Sequence, residues 1–559
     1  MEAGFSTPWQ AGKNETPITS GGSFWYKDEL MNVLSSLFRR PGRLATLGLL
    51  FLLTGGSMQS LSAQSTSDST ILKAAGPHYL KNAFHRFWWG SHYRKVWAEP
   101  VPVPVLRLDQ MRGGLIPLEQ GGSFQTRTLR LEDKNGHEFV LRSIDKDPAR
   151  ALPDFWRKTF VATLMRDQTS VIHPYGAFIV PALAQAAQVY HTNPQLVYIA
   201  QDKALGEFEG EFAGQMALLE ERPDGAWPEL ASFGNPKEVI SSKKAFGHLF
   251  KNTNYQVEAK RYLRSRLFDM WLSDWSRRED QWRWGEQKKG KQINLEPIPR
   301  DRDHAFFKFK DGVLTSLISL FKANYQSFDH TISHNNVKGL TKSSRRMDAY
   351  FLAYLTKQDF EEVARELQTR LSDEVIDQAI AQWPAQIQAL SAKEFSNKLK
   401  ERRGDLLEAS NAFYALINQE VLLPGTDEED VFHLELQENG NLLVQFYSEG
   451  KKDSLHLIHQ KNFYPQETKS LDIYGLGEED TFVLKGAGKN KIKVRLYGGE
   501  GEDELKAGEA WKPTGQTIFL MDEEDGNQYP KVKGVDRKEH SPSAQEFSGK
   551  GWLLRHRLH

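Results

Sequence analysis

Alternation of apolar and polar positions organises the first half of the chain. Thr126–Leu131 alternates, Lys134-Asn-Gly136 supplies a turn, and Phe139–Ile144 alternates back, so this stretch predicts a β-hairpin. Leu196–Ala200 and Gln215–Glu220 predict two more strands, with a turn at Glu221–Gly225. Helical spacing occupies 154–168 and 178–189, with Pro174 and Pro181 as boundaries. A helical pattern then runs over 238–281 and again over 345–421, where Phe360–Leu371 is heptad-like. Past Pro424-Gly425 alternation returns. Val431–Tyr447 predicts a hairpin around Asn439-Gly440, and short strands with Gly and Asp turns continue to about residue 520. Residues 523–550 are polar and predict a poorly ordered tail.

These patterns predict an α+β protein in successive parts. A β-rich part spans 106–225, a helical part 226–425, a small all-β domain 426–522 and a polar tail 523–559. Residues 64–105 read as a Ser/Thr-rich linker followed by an aromatic segment, His85–Trp97, that packs on a domain surface.

The N-terminus changes the picture. Met31–Arg43 is basic, Leu44–Leu53 is an apolar run of ten residues, and Ser62-Ala63 precedes Gln64 as a cleavage point. That is a secretory pattern, so residues 1–63 read as an upstream extension and signal peptide, with translation starting at Met31. The alternative is a buried apolar helix in a longer domain. Localisation is expected to be periplasmic or associated with an outer membrane, and no later run is long enough for a transmembrane helix. Across 559 residues the net charge is −1, which gives no basis for a nucleic-acid partner. Cysteine is absent, which excludes disulfides, thiolate catalysis and cysteine-ligated metals.

Candidate chemistry concentrates in two segments. An apolar helix from Asp269 runs into a charged loop holding Asp274, Ser276, Arg277, Arg278 and Asp280. A strand then ends in Asp301 and Asp303. Upstream, Gly121-Gly122-Ser123 lies between two β segments, where glycines let a backbone approach an anion. Arg142 sits in a predicted strand, Lys146 lies just beyond it, and Asp167 on the next helix is a carboxylate that could pair with them. Leu218–Pro223, with Glu220, is an apolar strand ending in a kink. The bland alternative is an internal salt-bridge network of Arg277, Arg278, Arg300 and Arg302 with Asp274, Asp280, Asp301 and Asp303. His173-Pro174 reads as a cap or packing residue.

Leu272–Arg278 resembles the catalytic loop of atypical kinases, among them HipA-like, spore-coat CotH-like and secretory-pathway kinases. Ile298–Phe306 resembles their metal-aspartate segment. The span 85–505 also resembles a group of exported bacterial proteins, through Gln125-Thr126, Val140–Lys146, His173-Pro174-Tyr175, Asp280–Trp284 and Pro299–Asp303. Some of those carry a calcineurin-like phosphoesterase domain or an outer-membrane β-barrel as well. The resemblance implies a bilobal kinase-like domain with a helical C-lobe. It implies Mg or Mn with ATP, held by Asp301 with help from Asp303 and Asp280. Gly121, Gly122 and Ser123 would cover the phosphates, Arg142 or Lys146 would contact them, Glu220 would sit at the hinge and Asp274 would be a surrogate base. The sequence departs from the kinase pattern at Ser276, Arg278 and Arg142, which replace an aspartate, a histidine and a lysine. The implied function is an exported envelope protein whose degenerate kinase-like domain binds a nucleotide or another phosphorylated ligand with a divalent metal. Its partners would be a phosphorylated small molecule or a cell-envelope protein. Two alternatives stay open: an active atypical phosphotransferase, and a non-catalytic anchoring module.

Gly498-Gly499-Glu-Gly501-Glu-Asp503-Glu-Leu505 fits a calcium-binding β-roll repeat, and Gly475–Phe482 is a looser copy. Asp480 and Asp503 are therefore candidate calcium ligands, with ordinary Gly-Asp turns as the alternative.

Overall fold

A computed structural model describes residues 70–121, 127–152, 154–450, 454–522, 526–539 and 548–555. The signal-peptide segment and Gly122, Ser123, Gln125 and Thr126 lie outside the described residues. The fold is mixed α and β, with several separate sheets.

Strands β1 (Thr70–Ala74) and β2 (Pro100–Pro104) pair antiparallel. Prolines alternate along β2 and leave Val101 and Val103 fully buried. Helices Ala83–Trp89 and Arg94–Ala98 lie between them. Arg94 is buried and its guanidinium makes two 2.7 Å bonds to the Asp167 carboxylate, which His85 also meets at 2.9 Å. Asp167 is thus taken by Arg94 and His85, not by Arg142 or Lys146.

Strands β3 (Leu115–Gly121), β4 (Thr128–Asp133), β5 (Glu138–Ser143), β6 (Gln195–Ile199) and β7 (Gln215–Glu221) form one antiparallel sheet in the order β3-β4-β5-β7-β6. Alternation puts Leu129, Leu131, Phe139 and Leu141 on the buried face. Gly136 turns the β4–β5 hairpin at φ 80°, a conformation that suits glycine. Helices Phe160–Asp167 and Gly176–Ala186 lie in the β5–β6 connection. His173 caps and packs: its Nδ1 accepts the Tyr175 N–H at 3.2 Å and its ring stacks on Trp383.

The stretch 238–281 is not continuously helical. It contains β8 (Val239–Ser241), helix Ser242–Lys251, β9 (Tyr255–Val257) and helix Ala259–Trp271. With β10 (Trp282–Lys289) and β11 (Gln292–Pro299) the strands form a sheet in the order β8-β10-β11-β9. Three-residue strands are too short to show a period of two, which is why the helical pattern dominates there. Helices from Val313 to Asn418 follow, and Arg402 of helix Ala385–Gly404 donates to the Met270 and Trp271 carbonyls at 2.6 and 2.7 Å.

The C-terminal part is a parallel β-solenoid. Its elements are β12 (Glu420–Pro424), β13 (Asp430–Leu436), β14 (Leu442–Gly450), β15 (Ser454–Phe463), β16 (Ser470–Leu476), β17 (Thr481–Asn490), β18 (Lys493–Gly499), β19 (Glu504–Ala507), β20 (Lys512–Gly515), β21 (Ile518–Asp522) and β22 (Val535–Glu539). One sheet runs β12-β16-β18-β21-β22, all parallel, and the other runs β15-β14-β13-β17-β19. In the second sheet β13, β17 and β19 are parallel, β13 turns at Gly440 into antiparallel β14, and β14 pairs antiparallel with β15. Residues 535–539 therefore extend the first sheet, and helix Gly549–Arg555 buries Trp552 against Phe250 and Tyr350. These parts of the tail are ordered because each adds either a strand ladder or a large apolar side chain.

Candidate functional site

Register places the first half of the site. Arg142 in β5 lies opposite Leu218 in β7, and Val140 lies opposite Glu220. Arg142 and Glu220 share a face and meet diagonally at 2.7 Å. The β10–β11 hairpin supplies the second half. Beyond its end the chain reverses, and Asp301 takes φ 56°, a left-handed conformation that costs free energy for a residue with a Cβ. That turn aims Asp301 and Asp303 back at the five-stranded sheet. Arg142 meets Asp301 at 2.6 Å and Asp303 at 3.3 Å, and Lys146 meets Asp303 at 2.6 Å. The structure thus gathers Arg142, Lys146, Glu220, Asp301 and Asp303 into one cluster. Asp301 is the most open of them, with its side chain 34% exposed.

The electrostatics follow from this pairing. Burial alone would raise Asp301, but the Arg142 guanidinium and the Lys146 ammonium outweigh it and hold the carboxyl well below the usual carboxylate range. Glu220 moves the other way, because burial outweighs the pull of Arg142 and raises it. His304, next in sequence, is pushed down to about 4 by burial and by Lys146, so it is neutral at physiological pH.

Asp274 and Asp280 do not join the cluster. Asp274 has no exposed side-chain surface and is bonded to Arg277, with Arg302 at 3.7 Å. Burial pushes its carboxyl up to about 6 in spite of those guanidiniums. No acceptor hydroxyl can reach a carboxylate so enclosed, so its placement does not suit a surrogate base. Asp280 is on the surface, tied to Arg278 at 3.0 and 3.1 Å. The centre of the buried network is Asp269, on helix Ala259–Trp271, which sequence reasoning did not single out. It meets Arg266 at 2.9 Å and Arg277 at 3.2 Å and is bonded to Arg302. Its position inside an apolar helical run is the signal that marked it as interior.

Arg300 and Arg283 make no ion pair among the described residues. Arg300 has its backbone held on both sides: its N–H donates to the Gln281 carbonyl at 3.0 Å and its carbonyl accepts from Arg277 at 2.6 Å. Its guanidinium makes no ion pair among the described residues. Among the described residues Arg283, at the start of β10, donates to the Trp282 carbonyl at 3.1 Å. Burial and the neighbouring Arg300 charge push Arg283 down to about 10. Arg283 alternates with Trp282 and Trp284 in the sequence, which places it on the opposite face of the strand from those buried rings.

In the solenoid Asp480 and Asp503 are buried in successive coil corners. Asp480 accepts the Asp430 N–H and Asp503 accepts the Asp480 N–H, each at 2.9 Å, and Asn527 continues the ladder to the Asp503 N–H at 2.8 Å. A Cβ on Gly475 would lie 2.0 Å from an Asp480 oxygen and one on Gly498 2.2 Å from an Asp503 oxygen, so only glycine leaves room for each carboxyl. Among the described residues no group of three or more His, Asp or Glu side chains is arranged to hold a metal ion. The two aspartates face the coil interior, each with one oxygen as a ladder acceptor.

No family model and no curated protein matches the chain. Among solved structures, it is similar to the Helicobacter pylori proinflammatory kinase CtkA, at 9% identity and a TM-score of 0.27, over 52% of this chain and 94% of that one. The twitchin kinase region from C. elegans is similar at 11% identity and a TM-score of 0.16, over 66% and 70%. Likeness at this level does not assign a fold. Among the described residues no helix is long and apolar enough to cross a membrane.

Proposed function

We propose that the chain is an exported, bilobal kinase-like module that binds a phosphorylated ligand without transferring its phosphate. The observation that carries this reading is the meeting of Arg142, on the third strand of the β3–β7 sheet, with Asp301 and Asp303 after the β10–β11 hairpin. A strand cation facing post-hairpin aspartates is the arrangement that phosphoryl-transfer enzymes use to hold phosphates and metal. A divalent metal fits this cluster poorly. Asp301 Oδ1 and both Asp303 oxygens already face Arg142 and Lys146, which supply the positive charge a metal would bring. The ligand's phosphate is instead met by Arg283 and Arg300, whose guanidiniums make no ion pair among the described residues. The absence of transfer rests on the enclosure of Asp274.

The test is a thermal-shift titration with pyrophosphate and with ATP, in EDTA and in Mg²⁺. Both ligands raise the Tm in EDTA, Mg²⁺ alone does not, and no labelled phosphate is transferred. Arg300→Ala weakens binding by roughly 10–100-fold, the worth of one charge-assisted bond. No shift with any phosphate compound, or equal affinity in Arg300→Ala, would sink the reading.

A further inference from the structure

Two short helices turn their apolar stripes outward. Leu80, Phe84 and Phe87 recur at helical spacing on and before helix Ala83–Trp89, and Val313, Leu317, Leu320 and Phe321 recur on helix Val313–Phe321. Phe84 is 74% exposed, Leu320 73% and Phe321 79%. A surface helix ordinarily turns such a stripe to the core. Here the inward positions are Thr315, Ile318 and His85, the last bonded to Asp167.

The two helices are locked together. Gly90 caps the end of the first and Gly312 caps the start of the second, and a Cβ on Gly312 would lie 2.3 Å from the Gly90 nitrogen. A groove of 840 Å³ opens beside them, with Phe87, Val313 and Leu390 as its apolar wall. Cations border this face. Arg86 and Lys95 line the groove, Lys310 precedes Gly312 by two residues, and all three make no ion pair among the described residues. The carboxylates at the groove are engaged: Asp311 meets His92 at 3.1 Å, and Glu394 meets Lys308 at 3.3 Å and Lys398 at 2.7 Å. The result is an apolar platform with a rim of uncompensated positive charge.

We infer that this face docks on an anionic lipid surface, with the apolar stripes at the boundary of headgroups and acyl chains and Arg86, Lys95 and Lys310 against the headgroups. Interfacial helices combine these two features. The charges disfavour the other occupants. A second copy paired through this face would bring its own Arg86, Lys95 and Lys310 against these. The apolar Leu44–Leu53 segment carries Arg39, Arg40 and Arg43 at its edge, so it would add positive charge to a positive rim.

The test is co-sedimentation of the full chain with vesicles of phosphatidylcholine alone and of phosphatidylcholine mixed with phosphatidylglycerol. The wild type binds the anionic vesicles preferentially. Leu317→Glu with Leu320→Glu weakens that binding by at least about tenfold, because two leucines no longer leave water. Lys95→Glu with Lys310→Glu weakens it by roughly fivefold per lysine, and added salt reproduces the loss. The lipid-free Tm and the oligomeric state stay as in wild type, because these side chains are exposed. Four outcomes overturn the inference: no binding by wild type, equal binding to both vesicles, unchanged binding by the leucine variant, or a leucine variant that lowers the lipid-free Tm by several degrees or dissociates a dimer.

Discussion

Arg142 holds three carboxylates apart from one another, and its replacement tests how far the site depends on one cation. Arg142→Met leaves Glu220 buried beside Asp303 with no guanidinium, and the expected cost is about 3–5 kcal/mol. Asp269→Ala removes the carboxylate shared by Arg266, Arg277 and Arg302, with an expected cost of similar size in urea unfolding. The two differ in a second readout: folded Asp269→Ala loses less pyrophosphate affinity than Arg142→Met, because Asp269 contacts no residue assigned to the ligand and reaches Arg300 only through Arg277. At this scale the sequence was informative where motif order and strand register coincide. Arg142, Lys146, Glu220, Asp301 and Asp303 stood in motif order, and the structure gathers them. Asp274 and Asp280 stood in the same motif and went elsewhere. Spacing cannot distinguish a carboxylate enclosed by arginines from one that faces a cleft, because both need only a charged neighbour a few residues away.

The solenoid coil shows the same limit at the level of elements. Asp480 and Asp503 are 23 residues apart and their repeat is visible in the sequence. The preceding coil is disguised, because the β14–β15 excursion separates Asp430 from Asp480 by 50 residues. Two copies are visible in the sequence; the third, found in space, extends them into a ladder of buried carboxyls. Burial pushes Asp430 up to about 8 and Asp503 up to about 7. A carboxyl raised in the fold stabilises fully below its unfolded value near 4 and loses that contribution as pH rises through the folded value. Stability contributed by Asp430 therefore falls between about pH 4 and pH 8, by up to ~1.4 kcal/mol per pH unit. Buried His173, His304 and His459 act oppositely below about pH 6.5, so the clean measurement is a difference. Asp430→Asn is expected to lose less stability than wild type between pH 5 and pH 8 in urea titrations. Gly486→Ala is expected to cost more than about 2 kcal/mol, since φ is 84° and a Cβ would lie 2.2 Å from the Leu436 carbonyl oxygen.

At the scale of the whole molecule, Lys461 and Trp552 help fasten the solenoid to the helical part. Lys461 reaches out of β15 to the Ala353 and Leu355 carbonyls and the Asn418 side chain, at 2.7 to 2.8 Å. Burial pushes it down to about 7, so those acceptors hold a lysine close to losing its proton. On the other side Trp552 packs among Phe250, Tyr350 and Tyr474, and the Gly549 N–H donates to Asp427 at 2.5 Å. Helical part and solenoid are expected to unfold in a single transition, seen together by near-ultraviolet dichroism and by limited proteolysis. Trp552→Ala is expected to cost about 3–5 kcal/mol and to split that transition in two. The sequence composition of the tail hid this fastening, because one tryptophan among polar residues carries no periodicity.

The ladder of Asp480, Asp503 and Asn527 also makes the solenoid a molecular ruler. Each coil adds one strand spacing, about 4.8 Å, along the axis. Duplicating the 23 residues that separate Asp480 from Asp503 would lengthen the protein by that step and keep every corner carboxyl over the next amide. The coil from Asp503 to Asn527 keeps the ladder at 24 residues, so a coil accommodates one residue more while length along this axis is changed by whole coils.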